Sequence, residues 1–364
     1  MARDNAHSLE IRMLRKEDQH ALMEFLASVY TSFPIKQTIM HWNWQYGKNP
    51  YAKENIPTLV CWDGERIVGQ RPLMPFRLWL EGQPLNAVWA TDFMVHPDYR
   101  GAGIGSKLFK AALEINHVYV AVNSAPATLH IYEKANAVRL PDLSTYIFPH
   151  NVRSYLARRW RFPVGLSFVQ MLGGWLLSLR TWLHRVYSGR HHTISIVDLD
   201  WDDPSLNSVW GPVSDHLIVA ERSIEFLRWR FHEYAADIYQ AIAAVDAQGI
   251  QGYAVWRSVS PGRFAIIDVW SKQQNSMVLR DMIMEILRRN QIQPNSEFTQ
   301  CDASHALLKR ALKACGFIPA NGKSVVVHAA ASGVSLESLA KTESWYITDL
   351  DSDLDPIFQY GSTL

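Results

Sequence analysis

The densest chemistry in the chain lies in Val95-His96-Pro97-Asp98-Tyr99-Arg100-Gly101-Ala102-Gly103-Ile104-Gly105-Ser106. A strand-like run ends, the chain turns through three glycines, and an apolar helical pattern begins. Glycine lets backbone N–H groups converge on a ligand without obstruction by Cβ. A helix N-terminus adds unsatisfied donors and the positive end of the macrodipole, so a pyrophosphate belongs there. Two phosphate-loop patterns fail on spacing. A Walker A loop needs GxxxxGK[ST], which Gly105-Ser106-Lys107 breaks. A dinucleotide fingerprint needs GxGxxG after a βαβ unit, whereas this chain has GxGxG after an antiparallel run.

The elements around the loop follow from periodicity. Residues 9–14 alternate as a strand, and Glu17 to Tyr30 places Leu22, Phe25, Leu26 and Val29 on one helical stripe. Thr58–Trp62, Ile67–Leu80 and Leu85–Val95 read as three antiparallel strands, the first turning at Asp63-Gly64. A helix over about 103–116, a buried strand at 118–122 and a helix over 127–136 complete the unit. The second half repeats this order. Strands are expected at 194–201, 239–246, 252–258, 263–270 and 297–302, with helices at 223–234, 276–289 and 305–314. ATDFMV (90–95) can be laid on IIDVWS (266–271), which sets Asp92 on Asp268, and YEKANAV (132–138) on ALKACGF (311–317). A tandem repeat of one α/β unit is the economical reading.

Arg100-Gly-Ala-Gly-Ile-Gly105 matches [Q/R]xxGx[G/A], and with the preceding VHPDY the chain over 9–148 resembles the GNAT (Gcn5-related) N-acetyltransferase superfamily. The resemblance implies an α/β fold with a mixed sheet and two tandem GNAT-like domains, the second degenerate. It also implies acetyl-CoA or another acyl-CoA as cofactor, with its pyrophosphate on Arg100, Gly101, Ala102, Gly103, Ile104, Gly105 and Ser106. The backbone of Phe93, Met94 and Val95, on a strand that splays from its neighbour, would pair with the pantetheine arm and polarise the thioester carbonyl. Asn123 matches a position that bonds the pantetheine, and Tyr132 the tyrosine that protonates the departing thiolate. The competing role for Tyr132 is an aromatic on a core-facing stripe. Ala137-Val138 replaces the family's usual Gly-Phe, which leaves the reach of Tyr132 open. Asp92, three residues before Val95, is the candidate base. The alternative, an aspartate bonded to neighbouring polar groups, is favoured by its echo at Asp268, in a half without the glycine loop. Glu133 reads as a solvated helix-face charge.

The implied reaction is acyl transfer from acyl-CoA to an amine by direct attack. The acceptor would be a small-molecule or sugar amine, such as an amino sugar of a bacterial surface polysaccharide. A CoA-binding protein without turnover, and a membrane-surface acyltransferase taking a longer acyl chain, stay open as alternatives. Ser276 stands where Arg100 does and no glycines come after it, so the second lobe is not expected to hold CoA. Arg222, Arg228 and Arg230 fall near the expected cleft but read as a basic solvated helix face. His232 and Asp237 fit HxxxxD, a two-letter pattern common by chance, with no downstream phosphate motif.

The remaining features bound the reading. A chain of 364 residues with 48% apolar and 20% charged residues suits two packed domains. Fourteen Trp promise large cores or an aromatic cleft. A net charge of +1 makes nucleic acid a poor partner. Cys61, Cys301 and Cys315 form no CxxC and suggest a reducing compartment. No apolar leader opens the chain, so a cytoplasmic location is expected. No metal site is read; His191-His192 are loop residues. The domain expectation is 1–150 for CoA binding, 151–192 as a helical linker, 193–330 as the degenerate domain and 331–364 as an acidic tail. Residues 151–190 carry seven Arg and no acid. An interdomain helix is favoured there, with peripheral contact at the inner membrane as second choice.

Overall fold

The computed structural model describes residues 9–30, 35–52, 57–115, 118–151, 194–211, 213–233, 236–293, 295–329, 333–353 and 355. The expected linker and the pair His191-His192 lie outside them. The first lobe runs β1 (Glu10–Met13), α1 (Gln19–Val29) and α2 (Ile35–Trp42), which ends in a π turn at Asn43–Gly47. Next come β2 (Thr58–Asp63), β3 (Arg66–Leu80), β4 (Gln83–Ala90), β5 (Met94–Val95), α3 (Ile104–Leu113), β6 (Val118–Val122), α4 (Pro126–Lys134) and β7 (Val138–Pro149). The stripe read on α1 buries Leu22, Phe25 and Leu26.

The second lobe repeats the order. It has β8 (Ser195–Asp198), β9 (Ile218–Ala220) and α5 (Ile224–Leu227), which passes into a π turn at Arg228–His232. Then come β10 (Tyr239–Asp246), β11 (Gly249–Ser260), β12 (Arg263–Ser271), α6 (Ser276–Gln291), β13 (Phe298–Ala303), α7 (Ala306–Ala314) and β14 (Ile318–Ala329). A short helix, α8 (Leu336–Leu339), leads to β15 (Trp345–Tyr346).

The lobes are joined by strand exchange. The sheet order is β1-β2-β3-β4-β6-β14-β7-β13-β12-β11-β10-β8. β7 and β14, which stand at equivalent places in the two lobes, therefore each sit in the other's half. β14 lies on β6, with Val325 opposite Val122, and β7 lies on β13, with Tyr146 opposite Cys301. Parallel pairs lie within the lobes, β4 with β6 in the first, and β12 with β13 and β9 with β15 in the second. A buried strand fed from two sides cannot leave without exposing ladder hydrogen bonds, so the halves are mechanically one body.

The π turns meet at a pseudo-two-fold centre. Trp44 and Trp229 stack at 4.8 Å, and each indole N–H donates to the other's backbone carbonyl, at 3.0 and 3.1 Å. Both rings are buried within a core that spans the two lobes. A second core lies under α3 and α4 of the first lobe and includes Leu108, Phe109, Tyr119 and Tyr132.

One expectation is corrected by the structure. The single strand read over Leu85–Val95 breaks at Thr91–Phe93 into β4 and β5. Asp92 takes a φ of 43°, a left-handed conformation that ends the ladder. Asp tolerates this better than most residues, though such positions cost about 1–3 kcal/mol and cluster at functional sites.

Candidate active site

The break at Asp92 opens a gap in the sheet. β4 pairs with β6 only over Ala87–Trp89 against Val118–Val120. Beyond that point the chain swings away to β5, which pairs with β3 through Val95–Gly69 and Met94–Gln70. Among the described strands, the other edge of β5 has no partner and faces the gap. This is the splay expected for Phe93, Met94 and Val95.

The loop after β5 is held from below. His96 N–H donates to Val68 O at 2.9 Å, and the Tyr99 hydroxyl donates to Asp63 at 2.5 Å. Gly101 and Gly103 adopt φ of 86° and 74°, where a side chain would be strained. A Cβ at either would meet nothing within 4 Å, so the loop's outer side is open. Gly103 caps α3 with no side-chain hydrogen bond. The first-turn amides of Ile104, Gly105 and Ser106 thus keep their hydrogen-bonding capacity at the positive end of the helix. Arg100, Gly101, Ala102, Gly103 and Ser106 are exposed, and Ile104 is buried. Glycine at 69 lets α3 press on β3, since a Cβ there would lie 3.1 Å from Ile104 and Leu108. Open left-handed glycines, uncapped amides and an exposed arginine fit a pyrophosphate.

Asp92 and Phe93 send their side chains to opposite faces. Asp92 accepts from the Tyr46 hydroxyl at 2.7 Å, and Tyr46 also shares a 2.6 Å bond with Thr91. Gln45 donates to Tyr46 at 3.0 Å, and Gln70 donates to the Asp92 carbonyl at 3.2 Å. Burial, and then the charge of Asp353, pushes the Asp92 carboxyl up to about 7, against the pull of hydrogen bonds from Tyr46 and Tyr30. Burial and the neighbouring Asp92 hold Tyr46 well above the usual phenol range. A carboxyl poised near neutrality suits proton abstraction.

Phe93 packs on the other face, against the core beneath α3 and α4. Here the Arg71 guanidinium lies over the Phe93 ring at 4.6 Å and donates to the Tyr132 hydroxyl at 2.6 Å. Tyr119 OH lies 3.2 Å from the same oxygen. Tyr132 is buried on a core-facing stripe, and its phenol oxygen accepts from the Arg71 guanidinium. Asn123 closes β6 in a left-handed conformation, with its N–H on Ser324 O at 2.8 Å and its side chain exposed.

Several residues of the site belong to no motif. Arg71 and Gln70 sit inside the otherwise apolar run Ile67–Leu80, and a buried charge in such a strand is a usable signal. Tyr46 and Trp44 belong to HWNWQYG, whose counterpart RWRFH around Trp229 has only the tryptophan in common with it. The basic face expected at Arg222, Arg228 and Arg230 needs correction. Arg222 and Arg230 are buried, because α5 packs inward under the acidic C-terminal segment, and only Arg228 is part-exposed, bonded to Trp201 O and Asp202. His232 and Asp237 are exposed. The three cysteines are buried and free. Among the described residues, no cluster suits a metal and no helix is long and apolar enough to cross a membrane.

The splayed strand, the open glycine loop and the mixed sheet define a GNAT fold. Residues 10–137, from β1 to the residue before β7, match the family model of the acetyltransferase (GNAT) domain. Solved structures resemble it over most of its length. A GCN5-related N-acetyltransferase from Anabaena variabilis aligns at a TM-score of 0.60 with 12% identity, covering 88% of this chain and 73% of that one. One from Kribbella flavida aligns at 0.54 with 11% identity, covering 89% and 72%. Saccharomyces cerevisiae N-myristoyltransferase with bound myristoyl-CoA aligns at 0.52 with 11% identity, covering 88% and 79%. At these identities the likeness is one of fold. No curated protein matches.

Proposed function

We propose that the protein transfers a short acyl group, acetyl in the simplest case, from acyl-CoA to a small-molecule amine by direct attack. The observation that carries this is the uncapped N-terminus of α3, reached through two left-handed glycines directly after a strand with a free edge. Arg100 and the amides of Gly101–Ser106 would hold the diphosphate. The free edge of β5 would align the pantetheine arm and direct backbone N–H groups at the developing oxyanion. Asp92, on one face, takes a proton from the amine. Tyr132, on the other, gives one to the thiolate, and the Arg71 cation on its oxygen balances the charge that is left there. Base and acid on opposite faces suit a reaction whose nucleophile arrives from one side while its leaving group departs on the other. An amino sugar is the first acceptor class to test.

Isothermal titration with acetyl-CoA tests the reading. Binding is expected for the wild type, and a loss of at least tenfold for Arg100→Ala/Gly103→Val, from the combined loss of a phosphate cation and left-handed strain. No binding by the wild type, or unchanged binding by the double variant, would sink it. Thiol release over an amine panel then tests turnover. Silence there, with binding intact, would favour a CoA-binding protein without catalysis.

A further inference from the structure

Among the described residues, Arg71 is a buried cation without a carboxylate in contact. It lies on β3 one residue beyond the pair Gln70–Met94, beside Phe93 at the break between β4 and β5. Its guanidinium stands over the Phe93 ring at 4.6 Å and the Tyr119 ring at 5.4 Å, and it donates to the Tyr132 hydroxyl at 2.6 Å. The residue is 2% exposed, and its Nε has no acceptor among the described residues. The buried Arg222 and Arg257 of the second lobe, by contrast, pair with Asp351 and Asp355 at 2.8 and 2.7 Å. Two ring faces and one neutral oxygen repay only part of the hydration that a buried cation loses, which is why such charges are normally paired.

The packing of this fold does not call for the charge. Gly69 on β3 and Gly252 on β11 stand in equivalent places, so Arg71 corresponds to Ala254. The match of 132–138 with 311–317 sets Tyr132 on Ala311. Both alanines are buried in the core of the second lobe. The cation and its phenol thus occur together in the lobe whose gap is open, and two alanines replace them in the lobe whose gap is filled by its own chain. A cation at the open gap with a buried, unused donor points to an anion brought by the ligand.

We propose that Arg71 and Tyr132 form a seat for the thiolate of CoA, so that free CoA is held in ionised form. This rests on the acyltransfer reading, which brings the sulfur to the Tyr132 phenol. On binding, the S–H bond of CoA breaks with its electron pair left on sulfur and its proton passed to the buffer. The guanidinium then faces one negative charge, shared through a hydrogen bond by the sulfur and the phenol oxygen. An ordinary thiol ionises at about 8.5, and an adjacent cation brings it to about 3.5–7.5. Acetyl-CoA, a thioester, has no ionisable sulfur and gains nothing from the seat until the C–S bond breaks. The seat therefore favours the leaving group over the bound substrate, and such a difference speeds the chemical step.

Calorimetry of the full chain tests this with CoA, S-methyl-CoA, acetyl-CoA and succinyl-CoA in buffers of different ionisation enthalpy. S-methyl-CoA keeps every phosphate and lacks only the acidic S–H. At pH 7 the wild type is expected to release about one proton more with CoA than with S-methyl-CoA. Its affinity for CoA, relative to S-methyl-CoA, should rise at least tenfold between pH 5.5 and 8. Arg71→Met should abolish the extra proton and bind the two ligands alike, and Arg71→Lys should restore it in part, a rescue that a purely structural cation would not give. Tyr119, whose hydroxyl lies 3.2 Å from the Tyr132 oxygen, His328, bonded to the Ala135 backbone after α4, and Asp353, which feels the charge of Arg71, face the pair from the other elements and are unchanged in these variants. A wild type that binds CoA without the extra proton would overturn the proposal, whatever the variants do. So would an Arg71→Met protein that still releases it. A tenfold preference for succinyl-CoA over acetyl-CoA that Arg71→Met loses, with no extra proton from CoA, would overturn it in favour of a carboxylate on the acyl group. Failure of the wild type to bind both CoA and acetyl-CoA would instead remove the acyltransfer reading beneath it.

Discussion

The two strand–loop–helix junctions of this molecule occupy equivalent places and differ in what they leave open to a ligand. In the first lobe β5 leads through left-handed glycines to a helix without a side-chain cap. In the second, β12 runs unbroken to Ser271, and the Asn275 side chain caps α6, accepting from Met277 N–H at 3.0 Å and Val278 N–H at 3.4 Å. What packing requires is retained at both. Gly252 on β11 plays the part of Gly69 on β3, since a Cβ there would lie 3.1 Å from Val278 and Met282 of α6. What a ligand would require is present at only one. The gap in the second lobe is filled by the chain's own segment 347–350, and its amide donors are satisfied internally. A repeated unit can therefore be divided into a frame that both copies keep and a terminus that only one leaves open.

The paired aspartates give the sharpest way to break this comparison. Asp268 is buried among Tyr253 at 2.6 Å, Thr348 at 2.8 Å and Arg222 at 3.4 Å, a fully partnered structural carboxylate. Asp92 accepts from the phenols of Tyr46 and Tyr30, and among the described residues no cation is paired with it. Asp92→Asn is expected to lower kcat/KM by about 10²–10⁴, the usual contribution of a general base, without lowering the melting temperature at neutral pH. Asp268→Asn should do the reverse, losing stability first. Steady-state kinetics beside thermal melting separates the two, and equal behaviour of the variants would end the distinction between frame and site.

Arg222→Ala comes next in size. It strands Asp268 and Asp351 as buried carboxylates without their cation, a loss of about 3–5 kcal/mol when one partner of a buried pair is removed. Urea denaturation should show the lowered midpoint. Arg100→Ala, at the exposed loop of the other lobe, should leave the midpoint in place.

Much of this contrast is visible in the amino-acid order. The glycine spacing at 101–105 locates the open helix terminus, and Asp92 and Asp268 can be superposed from short flanking strings. The strand ranges come from alternation and apolar runs, because sheets of this kind bury one or both faces. Three features are not legible. Strand exchange leaves no mark in a strand's own sequence, since β7 and β14 would be equally apolar in either half. The break at Asp92 is a single left-handed residue within an apolar run. The role of the acidic C-terminal residues depends on Arg222, Arg230 and Arg257, more than 90 positions away from the residues they meet. Local pattern carries no information about which charges meet after folding.

A smaller effect concerns pH and stability. The Asp92 carboxyl lies at about 7 in the fold against an unperturbed 3.8. A raised acid favours the folded state while protonated, so its stabilising contribution is fully present below about pH 4 and is lost as pH rises through 7. Asp349, Asp351 and Asp353 are raised by burial in the same direction. The isolating measurement is therefore a difference. Between pH 4 and 8, the urea midpoint of Asp92→Asn should fall less than that of the wild type. An equal fall in both would place the ionisation elsewhere.

The smallest expected effect asks whether a cap alone decides which helix binds an anion. Asn275→Ala removes the acceptor from two first-turn amides of α6 and should cost about 0.5–2 kcal/mol, as the loss of an N-cap does. Freed donors are a necessary part of a phosphate cradle, but the second lobe lacks the rest. No glycine lies between β12 and α6, Lys272 is tied to Ser208 at 2.9 Å, and residues 347–350 lie in the splay. Calorimetry of Asn275→Ala should thus give the same acetyl-CoA stoichiometry as the wild type. A second equivalent bound would mean that the cap, rather than the missing glycines and the filled gap, keeps the second lobe closed.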